Sequence, residues 1–240
     1  AEAILYSKNS LKILPTQTAT RKETPKTGAP MKGREPGREC SYCPRLVAFR
    51  TKSRNVHPDW HNAPVPSFGS KNAKALIVGL APGFKGANRT GRPFTGDTAG
   101  DLLYSMLDKY GFTHGNYSAD PTDGLKLVDC RITNAVRCAP PENRPTPGEI
   151  KSCGQFLKRE IEVMPKLRLL LALGQIAHNA VLAAFTLKRS AYPFGHGACH
   201  SLPDGLLLID SYHCSRYNTN TGRLTEVMFK AVIHEMRERI

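Results

Sequence analysis

The sequence predicts a three-layer α/β fold, in which helices cover both faces of a four-stranded parallel sheet. Short, mainly apolar runs alternate along the chain with longer stretches whose apolar residues recur at helical spacing. Strands that are apolar on both faces are typical of a parallel sheet buried between two layers of helices. The 240 residues, 40% of them hydrophobic, are enough for one core, so we expect a single domain.

The elements follow from this alternation. The runs that we predict as strands are residues 75–80, 128–136, 169–173 and 206–209. The helix-like stretches are residues 98–110, 147–163, 175–185 and 224–239. A ligand of a parallel sheet binds at the carboxyl ends of its strands. The loops that matter for function are therefore expected to begin at Gly79, Asn134, Gly174 and His213.

Residues 1–38 differ in composition from the rest of the chain. They are rich in Lys, Thr, Pro and Gly, and eight basic against three acidic residues give them a net charge of +5. We predict a flexible basic arm here, followed by a folded domain over residues 39–240.

The whole chain is basic, with 34 Lys and Arg against 20 Asp and Glu and a net charge of +14. This excess favours a polyanionic partner, most commonly nucleic acid, although a solubilising charge spread over the surface is the alternative. No run approaches the roughly 18 apolar residues of a membrane span, so we expect no membrane partner. We expect a monomer in a reducing, cytoplasmic compartment.

Four of the seven cysteines form two pairs, Cys40 with Cys43 and Cys138 with Cys153. Both pairs lie among Pro and Arg residues, which is typical of loops. The two-residue gap lets both thiolates of the first pair bind one centre, to which folding must bring the second pair. Such a site holds zinc or an iron–sulfur cluster, and spacing alone does not decide between them. Ordinary reduced cysteines are the remaining interpretation.

The loop after the first predicted strand contains five glycines and two prolines within residues 79–97. This density indicates a backbone that approaches a ligand closely. Neither Gly-x-Gly-x-x-Gly nor Gly-Lys-Ser/Thr is present, so we expect no nucleotide cofactor. Phe94 stands alone among polar residues and either anchors the loop or stacks on a base. Thr95 or Asp97 is expected to cap the following helix.

Two polar side chains stand at the ends of other predicted strands. The Asn134 amide has a donor and an acceptor that match the edge of a base, although a buried Asn that fixes a loop is the simpler interpretation. His213 is a candidate electrophile or proton donor. Cys214 adjoins His213, but neighbours on an extended segment face opposite sides. We therefore interpret Cys214, Cys130 and Cys199 as ordinary thiols.

With these residues assembled, the chain resembles the iron–sulfur-containing uracil-DNA glycosylases and is most similar to family 5, also called type B. The motifs that carry the resemblance are Gly-Leu-Ala-Pro-Gly at 79–83, Asn-Arg-Thr-Gly-Arg-Pro-Phe-Thr-Gly-Asp at 88–97, Thr-Asn-Ala at 133–135, Cys-Ala-Pro-Pro-Glu-Asn-Arg-Pro-Thr-Pro at 138–147, His-Cys-Ser at 213–215 and Asn-Thr-Gly-Arg-Leu-Thr at 220–225. The match runs from about Cys40 to the C-terminus.

The resemblance implies a glycosylase that removes uracil, hypoxanthine, xanthine or other deaminated bases from DNA, associated with the nucleoid. It implies a [4Fe–4S] cluster on Cys40, Cys43, Cys138 and Cys153. Phe94 would stack on the flipped uracil, Asn134 would read its edge, and His213 would contact it opposite the glycine-rich loop. Further contacts with the base are expected from Gly79, Ala81, Pro82, Gly83 and Ser215.

One departure from other branches concerns the water that attacks the sugar. Those branches carry a carboxylate near Leu80 or Ala81, whereas this chain has none there, as is characteristic of family 5. The water must then be positioned by the backbone, by Asn88 or by Asp97.

A second departure is His-Cys-Ser at residues 213–215, where His-Pro-Ser is usual. The following Arg216 and Tyr217 either wedge into the minor groove, or Arg216 contacts phosphate while Tyr217 packs below. The expected DNA contacts are Arg89, Arg92, Arg216, Tyr217 and Arg223. Both departures leave open a metal-stabilised DNA-binding module without catalysis, and a zinc protein of the same fold is a third interpretation.

Overall fold

The central sheet contains the four predicted parallel strands and one further strand. The computed structural model describes residues 35–240, so the predicted basic arm, residues 1–38, lies outside the described residues except for its last four. The strands are β1 (Ala75–Gly79), β2 (Thr113–His114), β3 (Lys126–Leu127), β4 (Cys130–Asn134), β5 (Leu169–Leu173), β6 (Cys199–Ser201) and β7 (Leu207–Ser211). The helices are α1 (Pro44–Val56), α2 (Ala87–Thr90), α3 (Thr98–Lys109), α4 (Pro147–Glu162), α5 (Gln175–Ala184), α6 (Arg216–Asn220) and α7 (Glu226–Glu238).

The sheet has the strand order β4-β1-β5-β7-β6. Its first four strands are parallel, which confirms the predicted parallel sheet, and β6 pairs antiparallel with β7 at the edge. The predicted count of four strands was therefore one too low. A strand of three partly exposed residues is too short to produce a recognisable pattern.

The core lies on both faces of this sheet, because β1, β4 and β5 are buried at every position. Leu103 of α3 and Phe229 of α7 pack on one face, and Leu157 of α4 and Val181 of α5 pack on the other. The three-layer prediction is confirmed. The register pairs Gly79 with Asn134 at the carboxyl ends of β1 and β4, so the glycine-rich loop starts beside the Asn134 side chain.

The helices predicted from apolar spacing are confirmed within two residues at each end, whereas α1 and the short helices α2 and α6 were not predicted. Helix α1 buries Arg50 and Ser53 together with Leu46, so its inward face is largely polar and lacks the usual apolar stripe. Asp97 caps α3, its Oδ1 accepting a hydrogen bond from Gly100 N at 3.0 Å. Across residues 35–240, no helix has the length and apolar character needed to span a membrane.

Candidate active site

A cavity of about 260 Å³ lies at the carboxyl ends of the parallel strands. Its walls come from the loops after β1, β4 and β7, as predicted for this fold. The lining residues are Leu80, Ala81, Pro82, Gly83, Ala87, Phe94, Asp97, Thr98, Ala99, Asn134, Asn143, His213, Ser215 and Arg216. The volume is just below the roughly 300–1,000 Å³ of sites for drug-sized ligands, so the cavity suits a single base rather than a dinucleotide.

Asn134 closes one end of the cavity and contacts the glycine-rich loop. A side chain at residue 79 would collide with two neighbours, because its Cβ would lie 2.6 Å from Phe94 Cζ and closer still to Asn134 Oδ1. Only glycine at this position leaves room for the side chains of Phe94 and Asn134. Asn134 is 3% exposed, and its Oδ1 has no hydrogen-bond partner within residues 35–240. An unpaired buried acceptor costs about 1–3 kcal/mol, so a ligand that donates an N–H here is favoured.

The position of Phe94 is compatible with both interpretations that the sequence left open. It is 7% exposed, yet it lines the cavity. Its φ of 50° is left-handed, a conformation that costs a non-glycine residue about 1–3 kcal/mol and persists only where its surroundings impose it. Gly100 permits it, because a Cβ there would collide with the Phe94 carbonyl oxygen. The start of α3 therefore holds the ring at the cavity wall.

His213 faces the cavity next to Phe94, with ring centroids 5.9 Å apart and planes at 29°. A base sandwiched between the two rings would need them roughly 7 Å apart, because each stacking contact takes about 3.5 Å. The two rings are closer than that, so a base that stacks on Phe94 would lie beside His213 and not between the rings. Asn218 Nδ2 donates to the His213 carbonyl oxygen at 2.8 Å and positions the loop. Burial lowers the pKa of His213 to about 4, so the imidazole is neutral at pH 7.

Cys214, which follows His213, points away from the cavity toward α3. Its Sγ lies 3.4 Å from the Ala99 carbonyl oxygen, and burial raises the pKa of this thiol to about 12. A thiol that stays protonated at neutral pH is a poor nucleophile. The geometry therefore agrees with the prediction that Cys214 is an ordinary thiol.

Asp97 provides the single carboxylate among the described residues that line the cavity. While its Oδ1 caps α3, its Oδ2 faces the glycine-rich loop, since a Cβ on Gly83 would lie 2.9 Å from it. Ser215 also lines the cavity, and its Oγ accepts a hydrogen bond from Asn218 N at 3.4 Å at the start of α6. Asp97 is thus fixed in direction and one oxygen remains turned toward the site.

Asn88 is placed differently from the prediction. It is buried in α2, and its Nδ2 donates to Asn62 Oδ1 at 2.9 Å. Among the described residues, it is not one of those that line the cavity. The structure corrects its predicted role: Asn88 joins the glycine-rich loop to the segment before β1 and does not hold water at the site.

Asn143 is a cavity residue to which the sequence analysis gave no function. It lies in the connection between Cys138 and Cys153, and its φ of 56° is a left-handed conformation that Asn tolerates better than most residues. The motif at residues 138–147 was recognised, but nothing in it showed that this loop reaches the base cavity. The cysteine-bearing connection therefore also forms part of the cavity wall.

The four predicted metal ligands come together on the other side of that connection. One small cavity is lined by Cys40, Cys43, Cys138 and Cys153. Arg45, two residues after Cys43, forms an ion pair with Glu149 of α4 at 2.8 Å and thereby ties the two cysteine-bearing segments. Burial raises the pKa of Cys138 to about 11 and that of Cys153 to about 12. A metal must therefore displace these protons when it binds the thiolates.

Arg50 of α1 gives a second indication that these thiols hold a negatively charged centre. Its Nη1 lies 3.6 Å from Cys138 Sγ, and its buried Nε has no hydrogen-bond partner within residues 35–240. A buried guanidinium requires an anionic neighbour to offset its desolvation. Thiolates bound to a metal supply that charge, so these residues fit the predicted metal centre.

The spacing of the thiols bears on which metal centre they fit. Within residues 35–240, the potential ligand atoms that lie within 4.8 Å of one another are those of His178, His200 and Asp210, and the four thiols do not form such a group. Sulfur atoms around one tetrahedral zinc are roughly 3.8 Å apart, given Zn–S bonds of about 2.3 Å. By this criterion, the four thiols are not gathered as closely as the ligands of one zinc ion.

The group of His178, His200 and Asp210 is a hydrogen-bonded network. His178 Nδ1 lies 2.8 Å from Asp210 Oδ1, and His178 Nε2 lies 2.9 Å from the Tyr192 carbonyl oxygen. Both ring nitrogens are thus engaged with protein oxygens. The group joins α5 to β7 below the active-site loops.

Comparison with known proteins agrees with this geometry. Residues 66–237 match the sequence profile of the uracil DNA glycosylase superfamily. The chain is 48% identical over 204 residues to the type-5 uracil-DNA glycosylase of Thermus thermophilus, an alignment that covers 82% of this chain and 92% of that protein. The chain belongs to the uracil-DNA glycosylase superfamily.

Type-5 and type-4 members of the superfamily differ in their similarity to the chain. The type-5 uracil-DNA glycosylase of Mycobacterium tuberculosis is 42% identical over 208 residues, covering 83% of this chain and 77% of its own. The type-4 uracil-DNA glycosylase of Archaeoglobus fulgidus is 32% identical over 152 residues, covering 63% and 64%. Among these, the chain is more similar to the type-5 proteins.

Of the arginines predicted to contact DNA in this superfamily member, Arg92 is wrongly assigned. Its guanidinium is 5% exposed and forms two 2.7 Å hydrogen bonds with Asp123, while Nε donates to Thr95 Oγ1 at 2.8 Å. The ion pair keeps the pKa of Asp123 well below its usual range. Arg92 therefore fixes the glycine-rich loop from inside the protein and cannot reach a phosphate.

The other predicted DNA contacts lie on the surface of this glycosylase fold. Arg216 begins α6 at the rim of the cavity, and the next residue, Tyr217, is 73% exposed. Arg223 holds its guanidinium 4.8 Å from the centre of the Tyr212 ring, and Arg89 of α2 is exposed. These four residues keep the accessible positions that contact with a DNA backbone requires.

Proposed function

We propose that the protein is a type-5 uracil-DNA glycosylase, a hydrolase that removes uracil from DNA and leaves an abasic site for base excision repair. The observation that carries this proposal is the convergence of Phe94, the unpaired Asn134 Oδ1 and the neutral His213 on one cavity of base size. The proposed enzyme acts as a monomer. Uracil-containing DNA is the proposed partner, and the net charge of +14 supports its binding.

The proposed reaction starts with a nucleotide flipped out of the duplex into the cavity. The ring of Phe94 stacks on the base, Asn134 Oδ1 accepts from uracil N3–H, and Asn134 Nδ2 donates to O4. Cytosine presents the opposite pattern, with an acceptor at N3 and a donor at N4. It would leave the amide unpaired, which is the basis of the proposed selectivity.

Cleavage of the bond between C1′ and N1 leaves the electron pair on uracil and an oxocarbenium-like sugar. A donor aimed at the uracil oxygen stabilises this developing charge, and such contacts are usually the largest contribution to catalysis. His213 is proposed as that donor at O2. Because its pKa is lowered to about 4, it donates as a neutral imidazole. Water then adds to C1′, and the proton that it loses passes by way of solvent to the uracil anion, which leaves as neutral uracil.

Asp97 is the proposed group that orients this water, because its Oδ2 is turned toward the cavity while Oδ1 is held by the helix. Replacing Asp97 with Asn keeps an oxygen for the cap and removes the negative charge. We expect Asp97→Asn to lower the single-turnover rate of uracil release about 10–100-fold, with the melting temperature unchanged. Asp97→Ala serves as the control, since it also loses the cap and should lower the melting temperature. A wild-type rate in Asp97→Asn would contradict the role.

The proposed cofactor is a [4Fe–4S] cluster held by Cys40, Cys43, Cys138 and Cys153. The group supplies a rigid covalent tie between α1 and the connection that carries Asn143, and the hydrolysis requires no electron transfer from it. The partnerless Arg50 Nε supports a negatively charged metal–thiolate centre, and the spacing of the thiols supports a cluster over a single zinc ion. A purified protein that is brown and contains about four irons per chain is expected. A colourless protein with one zinc would exclude the cluster.

Release of uracil is tested with a duplex that contains one uracil, followed by alkali to cut the abasic strand. Strand scission at the uracil and none at cytosine is the expected result. A panel with hypoxanthine and xanthine tests whether other deaminated bases are substrates. If no base is released at a large enzyme excess while DNA binding remains salt-sensitive, the protein is the alternative, a DNA-binding module without catalysis.

A further inference from the structure

The buried arginines of this protein differ in how their charges are balanced. Within residues 35–240, four arginines are 5% exposed or less, namely Arg50, Arg92, Arg131 and Arg137. Arg92 is paired with Asp123, and Arg131 and Arg137 share Glu160. For Arg50, residues 35–240 provide no carboxylate within 4.0 Å of its guanidinium. Among these four described arginines, Arg50 is therefore the one without a carboxylate in direct contact.

The contacts of Arg50 show where its counter-charge must lie. Its Nη2 donates to the Cys40 carbonyl oxygen at 3.0 Å, and its Nη1 lies 3.6 Å from Cys138 Sγ. The guanidinium thus bridges the first and the second cysteine pair. Its Nε is buried and has no partner within residues 35–240, and Arg50 lines the same small cavity as the four cysteines.

We propose that Arg50 is the built-in counter-charge of the metal–thiolate centre and sets the reduction potential of its cluster. This inference rests on the [4Fe–4S] cluster proposed above. Four thiolates and the inorganic core carry a net negative charge, which increases by one when an electron is added. A cation held against one of the sulfur atoms stabilises the more negative state, so it favours reduction and opposes oxidation of the cluster.

The test measures the one-electron couple of the purified holoprotein by protein-film voltammetry. Arg50→Met removes the charge and keeps most of the side-chain volume. We expect its couple to shift to more negative potential, so that the ratio of oxidised to reduced cluster at a fixed potential rises about tenfold, equivalent to about 59 mV. Arg50→Lys retains the charge and should keep the couple near that of the wild type.

A second readout is the loss of visible absorbance in ferricyanide, which takes one electron from the cluster and becomes ferrocyanide. Bleaching of Arg50→Met is expected to be several-fold faster than that of the wild type. Should Arg50→Met fail to fold, Arg50→Gln replaces it, because Gln retains an N–H donor for the Cys40 carbonyl oxygen without the charge.

Arg54→Met is the matched control. Arg54 lies one turn further along α1 and is paired with Glu39 at 2.9 Å, with a partly exposed side chain. Its removal should leave both readouts unchanged. An unchanged couple and bleaching rate in Arg50→Met would overturn the role of Arg50 alone, whereas a protein without iron would overturn the cluster as well. Lack of glycosylase activity in an iron-containing protein would leave the Arg50 proposal intact.

Discussion

Replacing His213 with alanine is expected to lower the rate of uracil release about 10²–10³-fold while DNA affinity remains unchanged. A single well-placed donor to a developing oxyanion has this effect in other enzymes. His213 lines the cavity beside Phe94 and is the one histidine among the described lining residues. In the proposed mechanism, its contact with the base strengthens only as the bond breaks, so we expect the loss to fall on the chemical step.

The measurement is a single-turnover rate with a uracil duplex, beside the dissociation constant for the same duplex at fixed salt. His213→Gln is the matched variant, because it retains one N–H donor and should recover part of the rate. Near wild-type release by His213→Ala would show that the donor lies elsewhere. A parallel loss of affinity would instead assign His213 to binding.

The lowered pKa of His213 predicts how the rate of uracil release depends on pH. With a pKa of about 4, the imidazole is neutral between pH 5.5 and 8, so its protonation should not change the rate in that range. If the imidazolium were the active form, the rate would instead rise about tenfold for each unit of falling pH.

The same shift predicts how the stability of the fold depends on pH. The unfolded chain binds the His213 proton more tightly than the folded chain, because the pKa of His213 in the unfolded chain is the ordinary 6.5. Stability is therefore lost as the pH falls from 6.5 toward 4.

Asn134→Ala is expected to lower uracil release about 100-fold and to remove most of the preference for uracil over cytosine. The Asn134 amide is the one described group that both closes the cavity and has a buried oxygen without a partner. Uracil N3–H would satisfy that oxygen, and a site built around such a bond rejects bases that cannot make it. Alanine removes both the bond and the penalty against cytosine.

Rates on uracil and on cytosine, measured with the same duplex sequence, give the ratio that tests this. Asn88→Ala is the control, since it removes another buried amide of α2 that pairs with Asn62 outside the cavity. It should lower stability and leave the ratio of the two rates unchanged. If Asn134→Ala retains the wild-type ratio, the selectivity lies in other contacts.

The fold was predictable where a local pattern reflects burial. The strands β1 and β5 are apolar because both faces of the sheet are covered, and that property is visible in five consecutive residues. Helix α1 was not predicted in this way, because the residues that it buries include the polar Arg50 and Ser53. A polar side chain is usually buried only where another part of the chain forms a hydrogen bond with it. The periodicity of the sequence does not show where that partner lies.

The residues of the candidate site show the same difference between what a local pattern predicts and what depends on distant partners. Phe94, Asn134 and His213 were identified because the carboxyl ends of parallel strands meet at one edge, and all three line the cavity. Arg92 and Asn88 belong to the same motif as Phe94, yet both side chains form contacts in the protein interior and do not face the cavity. Their partners, Asp123 and Asn62, lie 31 and 26 positions away.

The sequence by itself determined the parallel sheet, the loops that meet at its edge and the two cysteine pairs. Only the tertiary structure decided which polar side chains of those loops face the cavity and which are paired within the core. It also placed Arg50 against Cys138, 88 positions away. The physical reason is that strand and loop patterns are local, whereas a buried charge or amide depends on a partner that only folding brings to it.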